Sequence, residues 1–530
     1  MSLFSFSFFC FLFLLLITYF LIGKWNKKYQ WCVLLIASYL FYSFAGIKVM
    51  FFLIFTTITT WYGAIKIEQV SEKQKELAKN KSVAEKKEIK KIAVKKKKKI
   101  LSLILILNIG ILVMVKYTNF FIENVNQVLI KNSYEPLTVI NFLLPLGISF
   151  YTFQSAGYLI DIYRGKYSAD KNLFKFALFV SYFPQIIQGP ISRHDQLAKQ
   201  LFDNHSFDYE RIKYGAQRML WGYFKKLVIA DRIAVISNEI FGNYNSYTGI
   251  IVFVGVLLYN IQIYSDFSGG MDIVCGVSQL FGVNLVENFK RPFMARTVAE
   301  FWQRWHITLG AWMRDYLFYP LALSKAFGRM SKGLRKIFGN YVAKVLPTCL
   351  ASFIVFFIVG IWHGAAWKYI AYGLYQATFV STATLLEPLY QKCRIFFRIN
   401  VNCFSWKIFQ MCRTIFLVTL GRYFSRGDSF TAAVQMLKAT ISEWNIWVLF
   451  DGSLFKLGLD AANFIFMMCT ILFLCVIDLM QEKGIHIREE IAKQDIVVRW
   501  IIYYLGIFSI IVFGMYGLGY DSGNFIYQGF

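Results

Sequence analysis

Apolar runs recur along this chain with short polar loops between them, and many are long enough to cross a bilayer. The candidate spans are residues 2–23, 31–43, 49–65, 100–115, 143–163, 250–264, 346–377, 404–420, 462–479 and 500–516. This pattern predicts an all-α polytopic membrane protein with roughly eleven transmembrane helices. The first run lacks a basic leader and a small-residue cleavage site, which favours a retained span over a signal peptide.

Two stretches break this pattern. Between residues 173 and 251, short apolar pieces alternate with polar ones that contain Pro184, Gly189 and Pro190. Proline and glycine are tolerated at membrane depth where the backbone lines a cavity or is covered by protein, so interrupted or re-entrant helices are expected there. Residues 297–320 are amphipathic, aromatic and basic, which predicts a helix too polar to span the membrane.

A basic insert at residues 66–99 predicts the orientation of the chain. It holds 14 Lys against 5 Glu, a net charge of +9, and ends in five consecutive lysines. Such a block marks the cytoplasmic side, so both termini are expected outside the cell membrane. Its body is interpreted as either a solvated helix or a disordered loop. The resulting divisions are 1–65 (N-terminal helices), 66–99 (insert), 100–520 (core) and 521–530 (an extracytoplasmic tail).

Composition narrows the functional classes. The chain is 57% hydrophobic and only 17% charged, and its net charge of +26 is the loop excess typical of inner-membrane proteins. The basic residues accompany no nucleic-acid-binding module, so lipids and not nucleic acids are the expected surroundings. The nine cysteines form no C-x-x-C pair, which indicates neither a disulfide framework nor a metal site.

The first candidate for chemistry is His363, which lies in the apolar run 346–377. A histidine there costs on the order of several kcal/mol when charged. Gly360 and Gly364 leave its ring open to a close approach by another group. A titratable group in apolar surroundings indicates a functional site, although a histidine satisfied by a backbone carbonyl is the alternative.

A second candidate, His306, lies in the amphipathic stretch 297–320. On a helix it would share a face with Trp302 and Leu309. The alternative is an interfacial helix with a tryptophan belt and arginines that reach the lipid headgroups. The remaining histidines are expected in polar turns or a charged loop: His194, His205 and His486.

Several ordered segments together resemble the membrane-bound O-acyltransferase (MBOAT) family, in its bacterial branch of alginate O-acetyltransferases and D-alanyl teichoic-acid transferases. They are PLGISFYTFQS (145–155), YFPQIIQGPISR (182–193), YSDFSGG (264–270), FWQRWHITL (301–309), WMRDYL (312–317) and WHG (362–364). The resemblance runs from about residue 3 to the C-terminus, and the basic insert is the main departure.

The resemblance implies a fold with a central tunnel and a catalytic histidine at His363, with His306 as a second important histidine. It implies acyl transfer from a cytoplasmic thioester, usually acetyl-CoA, with no permanently bound cofactor and no metal. A hydroxyl acceptor needs a general base, and imidazole has a suitable pKa. Further candidate substrate-binding residues are Arg304, Trp305, Arg314, Asp315, Asp266 and Gln188. Positive-inside bias explains the basic members of this set equally well.

The ending FIYQGF (525–530) resembles an acyl-carrying F-x-Y-x-x-F motif of the same branch. The hypothesis is that Tyr527 is acylated with His363 as base and passes the group to a partner outside. The alternative is a frayed tail whose aromatic side chains lie at the membrane interface.

Gly427-Asp428-Ser429 resembles the nucleophile block of SGNH esterases, but no Asp-x-x-His follows it, so a helix cap is expected. A separate secreted or membrane-anchored SGNH-like acyltransferase is therefore the expected partner, and a polysaccharide the indirect acceptor. The function predicted is O-acetylation of an extracellular or cell-wall polysaccharide from the bacterial cytoplasmic membrane. The alternatives are D-alanyl transfer to teichoic acid and, in another class, a transporter or channel.

Overall fold

The computed structural model describes residues 2–140, 142 and 145–516. These residues are predominantly helical. Within them the only β-pairing is an isolated antiparallel bridge between Phe289 and Trp305. The described residues divide between two compact units, one within Met1–Ala216 and Val274–Val286, the other within Gln217–Ile273 and Glu287–Phe530. The all-α prediction is confirmed.

The first unit is built from the N-terminal helices. They are α1 (Phe6–Trp25), α2 (Gln30–Ser43), α3 (Ile47–Leu77), α4 (Val83–Lys131), α5 (Ile148–Arg164), α6 (Leu173–Ser181), α7 (Phe183–Ile186) and α8 (His194–Phe202). Two of the three unit boundaries fall inside two further helices, α9 (Tyr209–Tyr223) and α11 (Ile250–Leu280). The short α6, α7 and α8 agree with the interrupted helices expected after residue 173.

The second unit holds α10 and all helices after α11. They are α10 (Asp231–Gly242), α12 (Val298–Arg304), α13 (Ile307–Met313), α14 (Tyr319–Ala322), α15 (Lys325–His363), α16 (Trp367–Leu385), α17 (Glu387–Phe396), α18 (Phe404–Arg426), α19 (Phe430–Ser442), α20 (Ala461–Glu482), α21 (Ile487–Ala492) and α22 (Ile496–Phe513). Two π-helical segments, Phe224–Ala230 and Arg314–Phe318, interrupt the α-helical pattern.

The basic insert is helical. It forms the end of α3 and the start of α4, joined by a short turn. Ser82 caps α4, since its hydroxyl accepts a hydrogen bond from the Glu85 N–H while the Glu85 carboxylate accepts one from the Ser82 N–H. Of the two interpretations of this segment, the solvated helix is therefore correct.

Seven helices within the described ranges are long and apolar enough to cross a membrane. They are α1, α3, α4, α11, α15, α20 and α22. The chain is thus a multi-pass membrane protein, while the count of roughly eleven spans stays a prediction. The expected span 31–43 corresponds to α2, whose 14 residues are fewer than the ~20 that a perpendicular helix needs.

The run 346–377 is not one span, contrary to the prediction. It divides into the end of α15 and the start of α16, with a break at residues 364–366. The reason is close packing between the two helices, because a side chain at Gly360 or Gly373 would collide with the backbone of the facing helix. Hydropathy stays high through this turn, which is why the sequence pattern does not reveal it.

Candidate active site

His363 is the last residue of α15 and is buried, with 6% of its surface exposed. Its ring lies 5.0 Å from the ring of Trp362 and 6.1 Å from that of Tyr372 on α16, both measured between centroids and both edge-on. A Cβ on Gly364 would overlap the ring of Tyr369, so this glycine admits an aromatic side chain of the neighbouring helix. The break after α15 therefore places the imidazole in an aromatic environment.

His306 lies at a break in the stretch that the sequence predicts as one helix over 297–320. Helix α12 ends at Arg304, Trp305 is extended, and His306 has φ 47° and ψ 53° in the left-handed region before α13 begins. A long-range pairing produces the break, because the Ile307 N–H donates to the Asn288 carbonyl at 3.0 Å. The continuous-helix prediction and the helical neighbours assigned to His306 are therefore wrong.

Asn288 fixes the tautomer of His306. Its Oδ1 accepts hydrogen bonds from the Thr308 backbone N–H at 3.0 Å and the Thr308 hydroxyl at 2.9 Å, which identifies that atom as the amide oxygen. His306 Nδ1 lies 3.2 Å from the same oxygen, so it must carry the proton and donate. In the neutral ring the lone pair then lies on Nε2.

Burial keeps this imidazole neutral. His306 lies outside the seven candidate spans and is 1% exposed. Removal from water lowers its pKa from 6.5 to about 3, because the charged form loses its hydration. At neutral pH the residue is therefore a hydrogen-bond acceptor, and a base, through Nε2.

Trp362 contacts both histidines. Its ring centroid lies 5.8 Å from that of His306 and 5.0 Å from that of His363. The distance between the ring centroids of the two imidazoles is therefore no greater than the sum of these two distances. Sequence separates them by a loop, three short helices and the whole of α15, so the fold brings these two candidates together.

Two other candidates lie in the same unit but make different contacts. Trp305 is 1% exposed and packs against the rings of Phe289 and Phe301 at 5.0 and 5.5 Å. Asp266 is equally buried and forms an ion pair with Lys226 at 2.7 Å. Its carboxylate thus has a cationic partner, and its neighbour Phe267 is the residue that lies against His306, at 5.0 Å.

The basic candidates already have carboxylate partners. Arg304 donates to both oxygens of Glu482 at 3.0 Å each and also pairs with Glu300 at 2.8 Å. These contacts stabilise its charged form and raise its pKa. Arg314 pairs with Asp315 at 3.0 Å, and 58% of its side chain is exposed.

The remaining candidates lie elsewhere. Gln188 belongs to the first unit, is 1% exposed, and neither of its amide atoms has a hydrogen-bond partner within the described ranges. Tyr527 lies outside the described residues. Ser429 caps α19 by accepting from the Ala432 N–H at 3.0 Å, so the helix-cap interpretation of the Gly-Asp-Ser string is confirmed.

The sequence did not indicate three residues of this site: Asn288, Tyr372 and Arg422. Asn288 lies in a loop without a local pattern, and Tyr372 is one of the chain's 32 tyrosines. Arg422 had a usable signal, since it is an ionisable residue at the end of an apolar helix. Across the part of the chain that is described, no group of three or more His, Cys, Asp or Glu side chains is arranged to hold a metal ion.

Comparison with known proteins identifies the family. The sequence profile of MBOAT, the membrane-bound O-acyltransferase family, matches residues 99–422. A probable alginate O-acetylase AlgI of Pseudomonas syringae is 32% identical over 91% of this chain and 83% of its own length. A peptidoglycan O-acetyltransferase of Helicobacter pylori is 30% identical over 82% and 76%. A teichoic acid D-alanyltransferase of Bacillus subtilis is 29% identical over 48% and 62%.

The matched profile covers more than half of the chain and includes both His306 and His363. The prediction of an acyltransferase is thereby confirmed, and the transporter alternative is not supported. The chain belongs to the membrane-bound O-acyltransferase family.

Proposed function

We propose that this protein transfers an acyl group, most simply acetyl, from a cytoplasmic thioester such as acetyl-CoA toward O-acetylation of an extracellular or cell-wall polysaccharide. The observation that carries this proposal is the convergence of His306 and His363 on Trp362 inside one compact unit. The donor is a substrate that is consumed, and the proposed chemistry needs no permanently bound cofactor.

In this proposal His363 is the general base. It removes the proton from an acceptor hydroxyl while that oxygen attacks the carbonyl carbon of the thioester. An ester bond forms and the carbon–sulfur bond breaks. The leaving thiolate then takes the proton from the imidazolium of His363 and departs as a thiol, so the histidine returns to its neutral form.

His306 acts as a fixed acceptor beside this base. Asn288 holds the proton on Nδ1, so Nε2 presents a lone pair in one orientation. A neutral acceptor of fixed direction can hold an N–H or O–H group of a substrate while the reaction proceeds. The aromatic side chains of Trp362 and Tyr372 exclude water from the base and so protect the thioester from hydrolysis.

The proposed first acceptor is the phenol of Tyr527. A neutral histidine can activate this hydroxyl, and the resulting aryl ester keeps enough reactivity to pass the acyl group on. A secreted or membrane-anchored SGNH-like acyltransferase would complete the transfer to the polysaccharide. The basic insert supports a cytoplasmic-membrane location with both termini outside, because five consecutive lysines are costly to translocate.

Acetyl transfer is favoured over D-alanyl transfer by the extent of the similarity. The alginate O-acetylase of P. syringae aligns with 91% of the chain and the teichoic acid D-alanyltransferase of B. subtilis with 48%. The names of those proteins describe their own substrates, and they motivate the choice of acetyl-CoA as the first donor to test.

The test is incubation of the purified full chain with isotopically labelled acetyl-CoA, followed by mass spectrometry of the C-terminal peptide. We expect label on Tyr527 in the native protein and in His486→Ala, which removes an exposed histidine of a charged loop. We expect none in His363→Ala or Tyr527→Phe. Label that persists in His363→Ala would refute the role of base, and polymer acylation that persists in Tyr527→Phe would refute the tyrosine relay.

A further inference from the structure

Arg422 is a buried cation next to the proposed active site. It lies in the last turns of α18 and is only 2% exposed, which makes it one of the largest fully buried side chains among the described residues. Charged groups in such an environment are costly unless a counter-charge compensates them. The partners of this guanidinium therefore indicate what it does.

The protein supplies only neutral partners to Arg422. Its Nε donates to Asn260 Oδ1 at 2.7 Å, and its Nη1 donates to the Tyr372 hydroxyl at 3.2 Å. The guanidinium carbon lies 5.0 Å from the ring centroid of Trp305. Nη2 has no hydrogen-bond partner within residues 2–140, 142 and 145–516.

Two other buried cations of the same unit, Lys226 and Arg218, differ in this respect. Lys226 pairs with Asp231 and Asp266 at 2.7 Å each. Arg218 pairs with Asp272 at 2.9 Å and with Glu287 at 2.6 Å. The fold thus compensates these two charges with carboxylates, whereas Arg422 keeps its charge without one among the described residues.

The guanidinium adjoins the proposed chemistry. Tyr372, which accepts from Nη1, lies 6.1 Å from His363 between ring centroids. One turn further along α16, Gln376 accepts from Trp302 Nε1 at 3.2 Å through Oε1, which leaves its Nε2 as a donor. That buried amide nitrogen also lacks a hydrogen-bond partner within the described ranges, so Gln376 and Arg422 each offer a donor near Tyr372.

The free donors of Arg422 have the geometry of a carboxylate site. A guanidinium carries five N–H groups, and the two bonds described leave one on Nη1 and two on Nη2. One N–H from each terminal nitrogen forms a parallel pair that matches the two oxygens of a carboxylate. A neutral carbonyl would satisfy one donor but would leave the buried charge uncompensated.

We propose that Arg422 binds a carboxylate group of a ligand that occupies the site beside His363. The location of this subsite rests on the proposed function, but carboxylate binding is measured without any acyl transfer. A failure of one is therefore distinguishable from a failure of the other.

The test is thermal unfolding of the purified full chain in neutral detergent. Sodium acetate replaces sodium chloride in increasing proportion, so that the ionic strength stays constant. Acetate is the probe because it is the smallest stable carboxylate with a methyl group. We expect a saturable rise in the unfolding temperature of the native protein, since a ligand that binds the folded state stabilises it. In Arg422→Gln we expect half-saturation at an at least tenfold higher concentration.

Two further variants keep the test decisive. Arg304→Gln is the matched control, because it removes an arginine that already has carboxylate partners, and it should keep the acetate response. Arg422→Lys keeps the charge without the planar fork and should bind acetate more weakly than the native protein. Without acetate, Arg422→Gln should unfold no earlier than the native protein, whereas Arg304→Gln should unfold earlier. The same acetate response in native protein and both Arg422 variants, or no response in the native protein, would overturn the proposal.

Discussion

His306 and His194 are both mostly buried histidines outside the candidate spans, yet their surroundings differ in kind. His306, in the second unit, is oriented by a hydrogen bond to Asn288. His194, in the first unit, is surrounded by the rings of Tyr158, Tyr167 and Phe179 at 4.8, 5.4 and 4.9 Å. His194 Nε2 also lies 3.9 Å from Asp170 Oδ2, which is beyond hydrogen-bond distance. A hydrogen bond fixes the direction of a lone pair, whereas the rings and a carboxylate at that distance fix only the position of the imidazole.

Electrostatics alone do not separate the two residues. Burial lowers the pKa of His306 to about 3 and that of His194 to about 4, where the neighbouring Asp195 offsets part of the effect. A depressed pKa therefore indicates burial in both cases and a chemical role in neither by itself. The fixed tautomer of His306 and its contact with Trp362 beside His363 are what distinguish it from His194 and make it the candidate for a chemical role.

The largest effect is expected from replacing each histidine by glutamine and measuring acyl transfer from labelled acetyl-CoA. In His306→Gln the rate should fall by about 100-fold or more, because the glutamine amide does not hold an acceptor in the direction that Asn288 gives to Nε2. In His194→Gln it should stay within about threefold, because no contact described here links that residue to the other histidines. An equal loss of acyl-transfer rate in the two variants, at equal protein levels, would contradict the proposed difference between His306 and His194.

An intermediate effect is expected from Asn288. In Asn288→Ala the imidazole loses the acceptor that selects its tautomer, and we expect a loss of about tenfold or more, smaller than that of His306→Gln. Asn288→Asp keeps an acceptor for both Nδ1 and the Thr308 N–H, so it should restore most of the activity.

The pH profile separates this role from a merely structural one. In Asn288→Asp the nearby carboxylate favours the charged imidazole and raises its pKa, so activity should begin to fall at a higher pH than in the native protein. An unchanged pH profile with restored activity would show that Asn288 holds the loop and not the tautomer.

Much of the fold follows from the sequence, but the breaks at the two histidines do not. Hydropathy predicts the long helices and places His363 in an apolar run, and the capping pattern at Ser82 agrees with the helical insert. The turn after His363 depends on the contact of Gly360 and Gly373 with facing backbone, which leaves no polar signal in the sequence. The break at His306 depends on its pairing with Asn288, a loop residue 18 positions away.

The order of the segments that resemble the family, and not their periodicity, predicts the two candidate histidines. His306 and His363 are predicted together by the family resemblance, and the structure places both against Trp362. Partners such as Asn288 and Arg422 were missed, because each acts through a contact with a distant part of the chain. Local patterns report which face of a helix is buried but not which side chain of another segment meets it.

A further effect concerns stability in acid and applies to both histidines. Each has a folded-state pKa below its unfolded value of 6.5, so the unfolded chain binds a proton that the folded chain does not. The contribution that each neutral histidine makes to the free energy of unfolding is then fully present above about pH 6.5. It is lost as the pH falls, toward about 4 for His194 and about 3 for His306. Each residue should contribute about 1.4 kcal/mol of lost stability per pH unit within its window.

His194→Phe tests this effect in the first unit. The phenyl ring can occupy the space between the three aromatic rings without taking up a proton. We expect its unfolding temperature in detergent to fall less between pH 6.5 and 4.5 than that of the native protein, with acyl transfer at pH 7 unchanged. His486→Phe, which alters an exposed histidine, should keep the native acid sensitivity. If His194→Phe lost stability in acid as steeply as the native protein, the surroundings of His194 would not hold it neutral. His194 and His306 would then share burial but not a lowered pKa.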